Sequence, residues 1–402
     1  MNKKILAIGI FAATAATVAL YPQLHSIGAT SGHVVQTTDP LVGQILNERP
    51  KIEVVFVLDT TGSMGGLIQA AKEKIWSIAS TMASAQPAPE IKMGLVAYRD
   101  RGDAYVTQVV DLSSDLDSMY ARLMDFQADG GGDGPESVNQ ALHDAVHNIS
   151  WSQDPDAYQV VFLVGDAPPH MDYQDDVKYP DTLAIARARG IVVNTIQCGQ
   201  APETTRQWHR VASLADGQYF QVEQAGSAIA IATPFDEELA RLSAELDDTR
   251  LYYGDRQAKE KASRKLEATD KLHALASFAS RARRAAFNAS AAGEDNFVGE
   301  NELIDAVSSG RVDLDEIDTE QLPEPMQAMA PAEQRAMVEE TAARRTDLQQ
   351  RIGELSEKRD GYLKDEVAEA GNAEASLDYK IYGAVKAQAE AKGLELEDAP
   401  KY

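Results

Sequence analysis

An aspartate and two hydroxyls leave one strand end together in Asp59-Thr60-Thr61-Gly62-Ser63, directly after the apolar run Lys51-Ile52-Glu53-Val54-Val55-Phe56-Val57-Leu58. Carboxylate and hydroxyl oxygens are the donors a hard divalent cation prefers, and alternate residues of a tight turn can face one centre while the backbone bends away. The chemistry expected of this turn is therefore Mg²⁺ binding, with Mn²⁺ or Ca²⁺ as ions of similar preference. A second apolar run ends the same way, Val164-Gly165 leading into Asp166. Two carboxylates from separate strand ends would converge on one rim.

The elements that must hold these residues follow from the alternation of apolar runs between residues 51 and about 235. Strands are predicted over 52–58, 91–98, 104–110, 158–165, 191–197 and 217–222. Helices are predicted over 66–84, 114–127, 136–149, 179–189 and 203–214, with Pro135 placed for a first helical turn. This is the pattern of a mainly parallel sheet covered on both faces, a doubly wound α/β fold of six strands. The short polar connection Arg99 to Asp103 predicts a hairpin, and hence one antiparallel edge strand. Ligands of such sheets bind outside the carboxyl ends of the strands, where Asp59 and Asp166 stand.

Beyond residue 236 the chain changes to long charged helical stretches, at 236–250, 256–285 and 331–369, with an acidic connector near 294–325. Leu348, Ile352, Leu355 and Tyr362 recur near the spacing of a helical seam, so a hairpin or small bundle, partly coiled-coil-like, is expected. The tail carrying Tyr379, Ile381, Tyr382 and Val385 reads as one more short helix.

Three segments together, Asp59-Thr60-Thr61-Gly62-Ser63, Gly130-Gly131-Gly132-Asp133-Gly134-Pro135-Glu136 and Asp166-Ala167-Pro168-Pro169, resemble the von Willebrand factor type A (VWA) domain over about residues 50 to 235. The resemblance implies a doubly wound sheet with a metal-ion-dependent adhesion site (MIDAS). Such a site takes an Asp-x-Ser-x-Ser loop, a threonine from a second loop and an aspartate from a third. By position, Asp59, Thr61 and Ser63 match the first loop and Asp166 the third, while Asp133 stands where the family usually has threonine. A carboxylate there implies tighter cation binding and a weaker demand for an acid from a partner. The same variants are similar to a bacterial subgroup and to the type A domains linked to alpha-kinases. The carboxyl-terminal half looks like the helical extension of exported bacterial members.

Other spacings have plainer readings. Arg101-Gly102-Asp103 lies in a short hairpin whose Gly and Asp are ordinary turn formers. His143 and His147 share a helix face without a visible third ligand, and Arg281-Ala282-Arg283-Arg284 reads as a solvated helix end. His170, Tyr98 and Asp100 stand where they could border the ion, with loop packing as the plainer role. There is no Gly-x-Ser-x-Gly elbow and no Gly-rich loop ending in Lys, so a non-enzymatic role is expected.

A net charge of −25 argues against general nucleic-acid binding, which needs a concentrated basic surface. Lys3-Lys4 followed by the uncharged stretch Ile5 to Tyr21 reads as a signal peptide or amino-terminal membrane anchor over 1–29, with a linker over 30–49. The chain is then expected to be periplasmic or exported, or anchored in the inner membrane facing the periplasm. Cys198 is the single cysteine and excludes an intramolecular disulfide. The organisation expected is 50–235 as the VWA domain and 236–402 as a helical region. The function expected is a metal-dependent protein-binding module of the cell envelope with a protein partner. The alternatives are a metal-assisted hydrolase using Asp59, Asp133 and Asp166 with His170 as base, and a scaffold holding a structural ion.

Overall fold

Six strands form one sheet in the order β3-β2-β1-β4-β5-β6, and all neighbours are parallel except β2 and β3. The computed structural model of the chain describes residues 49–132, 134–224, 231–370, 377–397 and 400–401. The strands are β1 (Lys51–Asp59), β2 (Glu90–Tyr98), β3 (Thr107–Ser113), β4 (Tyr158–Gly165), β5 (Val192–Cys198) and β6 (Tyr219–Val222). The central strands β1 and β4 are almost wholly buried because helices cover both faces, which is why they read as unbroken apolar runs. Edge strand β3 is half exposed and pairs antiparallel with β2, as the short polar hairpin predicts.

Strand alternation divides the core in two. Val54, Phe56 and Leu58 of β1 face helices α1 (Gly65–Ala83) and α2 (Leu116–Asp125), whereas Val55 and Val57 face α3 (Val138–His147), α4 (Tyr179–Ala188) and α5 (Pro202–Leu214). The strand order reverses at β1, whose neighbours are β2 on one side and β4 on the other. The crevice of a doubly wound sheet opens at that reversal, beyond the strands' carboxyl ends. Asp59 closes β1 and Asp166 follows β4, so both stand at the crevice.

The second half of the chain is helical: α6 (Asp236–Asp247), α7 (Arg256–Leu275), α8 (Phe278–Asn288), the short α9 (Glu294–Val298) and α10 (Leu303–Ser308), and the long α11 (Pro331–Ala370). The single helix expected over 256–285 is two helices. The chain turns at Ala276 and Ser277, and the Ser277 side chain caps α8 by accepting from the Ser280 amide. Helix α8 also corrects the reading of its arginines, since Arg283 and Arg284 are buried at 4% and 0% exposure rather than solvated. Leu348 and Ile352 of α11 pack with Leu239, Leu242 and Phe297 in a separate apolar cluster.

The tail then returns to the sheet. Helix α12 (Leu377–Ala389) places Ile381, Ala384, Val385 and Ala389 in the same core cluster as Val54, Phe56 and Val164. Gln388 exchanges hydrogen bonds with Asn194 of β5 (2.8 and 3.0 Å) and accepts from the Tyr158 hydroxyl of β4 (2.7 Å). The buried pair Lys74–Asp378 (3.0 Å) ties α1 to α12. Among the described residues no helix is long and apolar enough to cross a membrane. Segment 1–29 and most of the linker lie outside the described residues.

Candidate metal centre

The turn after β1 sorts its side chains by alternation. The Thr60 hydroxyl points back, donating to the Tyr98 carbonyl (2.8 Å) and meeting the Tyr105 hydroxyl at 2.7 Å, which fixes the end of β1 against β2. Asp59, Thr61 and Ser63 share the other side. Asp59 Oδ1 accepts from the Thr61 amide (2.9 Å) and the Thr61 hydroxyl (2.6 Å), and the Thr61 hydroxyl lies 3.5 Å from that of Ser63. Asp59 is 0% exposed and its Oδ2 has no hydrogen-bond partner. A carboxylate oxygen left that way inside a protein is costly unless a donor or a cation meets it.

The Gly-rich loop is laced to this turn through backbone. Gly62 N donates to Gly130 O (3.2 Å) and Asp129 N to Thr60 O (3.1 Å). Gly130 and Gly131 adopt φ of 77° and 78°, a conformation side chains rarely take, and a Cβ on Gly130 would lie 2.4 Å from Asp103 Oδ1. Asp103 holds the loop by accepting from Gly131 N (3.0 Å) and also accepts from Asp100 N (3.1 Å). Arg101 is bound to Asp175 (2.9 Å) and lies over the Tyr173 ring, so the Arg101-Gly102-Asp103 triplet is spent on holding its own surroundings. Asp133 lies outside the described residues.

Glu136, which closes the Gly-rich segment, also stands at this rim although its sequence context assigns it no role. It is 4% exposed, and its Oε2 has no hydrogen-bond partner. Its backbone bridges to the loop after β4, with Glu136 N donating to Pro168 O (2.9 Å) and His170 N donating to Glu136 O (3.1 Å). Its carboxylate flanks Gly131 together with Thr61: a Cβ on Gly131 would lie 3.3 Å from Glu136 Oε1 and 3.2 Å from Thr61 Cβ. The signal was present as an acid closing a glycine run, but Pro-Glu reads equally as the first turn of a helix.

Asp166 completes the rim. Its carbonyl accepts from the Thr204 hydroxyl (2.9 Å) and its Oδ2 from Gln224 Nε2 (2.5 Å), just beyond β6. Gly165 keeps the floor clear, since a Cβ there would lie 2.4 Å from the Tyr98 hydroxyl and 3.0 Å from Asp59 Oδ2. The Tyr98 hydroxyl is likewise buried without a partner, so Tyr98 does border the site.

The electrostatics follow from this crowding. Burial, with Asp166 adding to it, raises Asp59 to about 7 against the opposing Thr61 hydrogen bonds. Burial raises Glu136 to about 9, helped by Asp59, Asp100, Asp103 and Asp166. Burial, helped by Asp59, Glu136 and Asp166, pushes the Tyr98 phenol well above its ordinary value. Among the described residues no three His, Cys, Asp or Glu side chains close on one point. The donor set is mixed, with carboxylates from Asp59 and Asp166 and hydroxyls from Thr61 and Ser63. Hard oxygens, excess negative charge and an unpartnered buried carboxylate oxygen fit a divalent cation.

His170 stands behind this rim. Its Nδ1 meets Asp172 Oδ1 at 2.8 Å and its Nε2 meets Asp100 Oδ2 at 3.3 Å, while the Tyr173 ring stacks on it at 4.0 Å. Burial lowers its pKa, but Asp172 and Asp100 outweigh that and raise it. His143 and His147 stack on each other at 4.3 Å, and Asp144 between them binds Thr107 and Gln140.

Against known families, residues 53–234 match the model described as von Willebrand factor A domain. This stretch of the chain is a von Willebrand factor A domain. The mouse von Willebrand factor A domain-containing protein 7 is 35% identical over 155 residues, covering 39% of this chain and 16% of that protein. An alpha-protein kinase of Dictyostelium discoideum is 27% identical over 120 residues, 30% of this chain and 19% of the kinase. The chain thus spans less than a fifth of the length of these relatives. Among solved structures it is similar to a von Willebrand factor type A protein from Catenulispora acidiphila, at 16% identity and a TM-score of 0.35, over 45% of this chain and 40% of that one. VWA domains are a family of protein-interaction and adhesion modules that often bind metal through a MIDAS.

Proposed function

We propose that this chain is a metal-dependent protein-binding module that takes a divalent cation, Mg²⁺ first, at Asp59, Thr61, Ser63 and Asp166, with Asp133 as a further ligand from the Gly-rich loop. The observation that carries the reading is the unpartnered Oδ2 of Asp59, fully buried at the switch point of the sheet and ringed by carboxylate and hydroxyl oxygens. Asp59 and Thr61 form the buried floor of the site, whereas Ser63 and Gly130 to Gly132 are exposed at its mouth, where a partner would arrive. When bound, the cation supplies a Lewis-acidic position for an oxygen of that partner.

The helical region of 236–402 offers a second contact surface, and α12 makes its tail part of the sheet's own core. Segment 1–29 is proposed as the signal or membrane tether and 30–49 as the linker, which places the module in the periplasm or cell envelope. A hydrolase is the weaker reading. Its general base would be His170, whose two nitrogens both face carboxylates and whose pKa is raised.

The test compares the full chain with Asp59→Ala in partner capture from an envelope fraction, each with Mg²⁺ and with chelator. The reading expects a protein that is retained by the natural chain in Mg²⁺, released by chelator and never held by the variant. Partner retention that ignores both chelator and the substitution would refute it.

A further inference from the structure

We infer that His143 and His147 of α3 form a separate metal site on the flank of the domain, one that takes an imidazole-seeking ion of the Zn²⁺, Ni²⁺ and Cu²⁺ class. The inference stands on α3 and the groups packed around it, and does not depend on the cation reading above.

Residues four apart lie on one face of a helix, and histidines at that spacing can bring two ring nitrogens to one ion. Both side chains are half-buried, and their rings lie side by side with 4.3 Å between centroids and 18° between planes. Each ring is turned the same way by a different contact. Nδ1 of His147 lies 3.0 Å from the backbone carbonyl of His143. A carbonyl only accepts, so this nitrogen carries the proton and the lone pair of the neutral ring sits on Nε2. Nδ1 of His143 is buried without a hydrogen-bond partner, 3.6 Å from Asp144 Oδ1. Asp144 is itself held in place, accepting from Thr107 on Oδ2 (2.6 Å) and from Gln140 and Asn148 on Oδ1 (2.8 Å each). Both histidines therefore turn Nδ1 towards an oxygen of the chain and leave Nε2 uncommitted among the described residues. A metal-bound histidine characteristically has such an oxygen behind its other nitrogen, where it fixes the tautomer and strengthens the ligand.

The donor type selects the ion. Neutral imidazole suits Zn²⁺, Ni²⁺ and Cu²⁺, whereas Mg²⁺ and Ca²⁺ keep to oxygen. Two nitrogens at about 2.0–2.1 Å from a tetrahedral ion are about 3.3 Å apart, so rings now 4.3 Å apart meet it by a small rotation of each side chain. Among the described residues no third His, Cys, Asp or Glu joins the pair, so water takes the remaining positions.

Zn²⁺ titration of the full chain in excess Mg²⁺, which competes for oxygen donors but not for imidazole, tests the assignment. The natural chain is expected to bind one Zn²⁺. His143→Gln and His147→Gln, each checked for folding by its melting in chelator, are expected to lose affinity by about tenfold or more. Electron paramagnetic resonance with Cu²⁺ as the probe should show nitrogen splitting from two imidazoles in the natural chain and from one in each variant. No Zn²⁺ binding by the folded natural chain in Mg²⁺ would overturn the inference, as would unchanged Zn²⁺ affinity in the folded variants. Neither result would touch the cation reading at the rim.

Discussion

Two groups of buried acids in this molecule have opposite fates. At the interface between the sheet and the helical region, Asp117 of α2 and Asp247 of α6 close on Arg284 of α8 with bonds of 2.5 to 3.1 Å, and Arg250 and His273 complete the set at 3.1 and 2.7 Å from Asp247. Burial alone would raise Asp117, but Arg284 outweighs it and holds Asp117 down to about 2. At the rim, burial is as complete for Asp59, yet its pKa rises to about 7 and one oxygen lacks a partner. The first group is neutralised by arginines of the chain, and the hydrogen bonds to the acids of the second come from hydroxyls and amides. Burial of acids therefore marks a fastener in one place and a candidate cation site in the other.

The comparison is broken most forcefully at the fastener. Arg284→Ala leaves Asp117 and Asp247 buried beside a smaller positive complement, and stability should fall by about 3–5 kcal/mol, read from the urea midpoint of the full chain. Metal affinity should survive in whatever fraction stays folded.

The two groups should also respond to pH with opposite sign. Asp59 binds its proton more tightly folded than unfolded, so its contribution in chelator is full below about pH 4 and is lost as pH rises through 7. Asp117 binds its proton less tightly when folded, so its contribution is full above about pH 4 and is lost as pH falls towards 2. The Asp59 effect is of the order of a few kcal/mol. Unfolding followed against pH in chelator should show the falling limb, and Asp59→Asn should flatten it.

A gentler probe is Gly165→Ala. Its Cβ would lie 2.4 Å from the Tyr98 hydroxyl, so a destabilisation of about 1–3 kcal/mol and loss of metal binding are expected, seen by melting and titration. The smallest effect is expected for Gln224→Ala, which releases Asp166 Oδ2 from the amide that now holds it. Metal affinity should rise by roughly a few-fold, the net size of one solvent-exposed hydrogen bond, with stability hardly changed.

How much of this was readable beforehand depends on how local each signal is. The placement of Asp59 and Asp166 at two strand ends was legible because a strand buried on both faces is a run of apolar residues, and the acid that ends it is conspicuous. The antiparallel edge followed from one short polar turn. Tail helix α12 was legible as a helix, but not its return to the sheet, because that depends on Ile381 and Val385 meeting Phe56 and Val164 across the whole helical region. Arg283 and Arg284 misled for the same reason: on a helix, Arg-Ala-Arg-Arg looks solvated until Asp117 and Asp360 arrive from distant segments. Glu136 was hidden by a local ambiguity, since Gly-Pro-Glu is as good a helix start as a loop ligand. Asp133 was read as a ligand on the resemblance, and its place lies outside the described residues.

The central claim is that the rim lacks a positive charge that a divalent cation supplies. Calorimetric titration of the full chain with Mg²⁺ and Mn²⁺, beside Asp59→Asn, tests it most directly. The account predicts one saturable site in the natural chain, a rise in melting temperature with metal, and neither in the variant. A natural chain that folds but binds no divalent ion, or a variant that binds it equally well, would contradict the account.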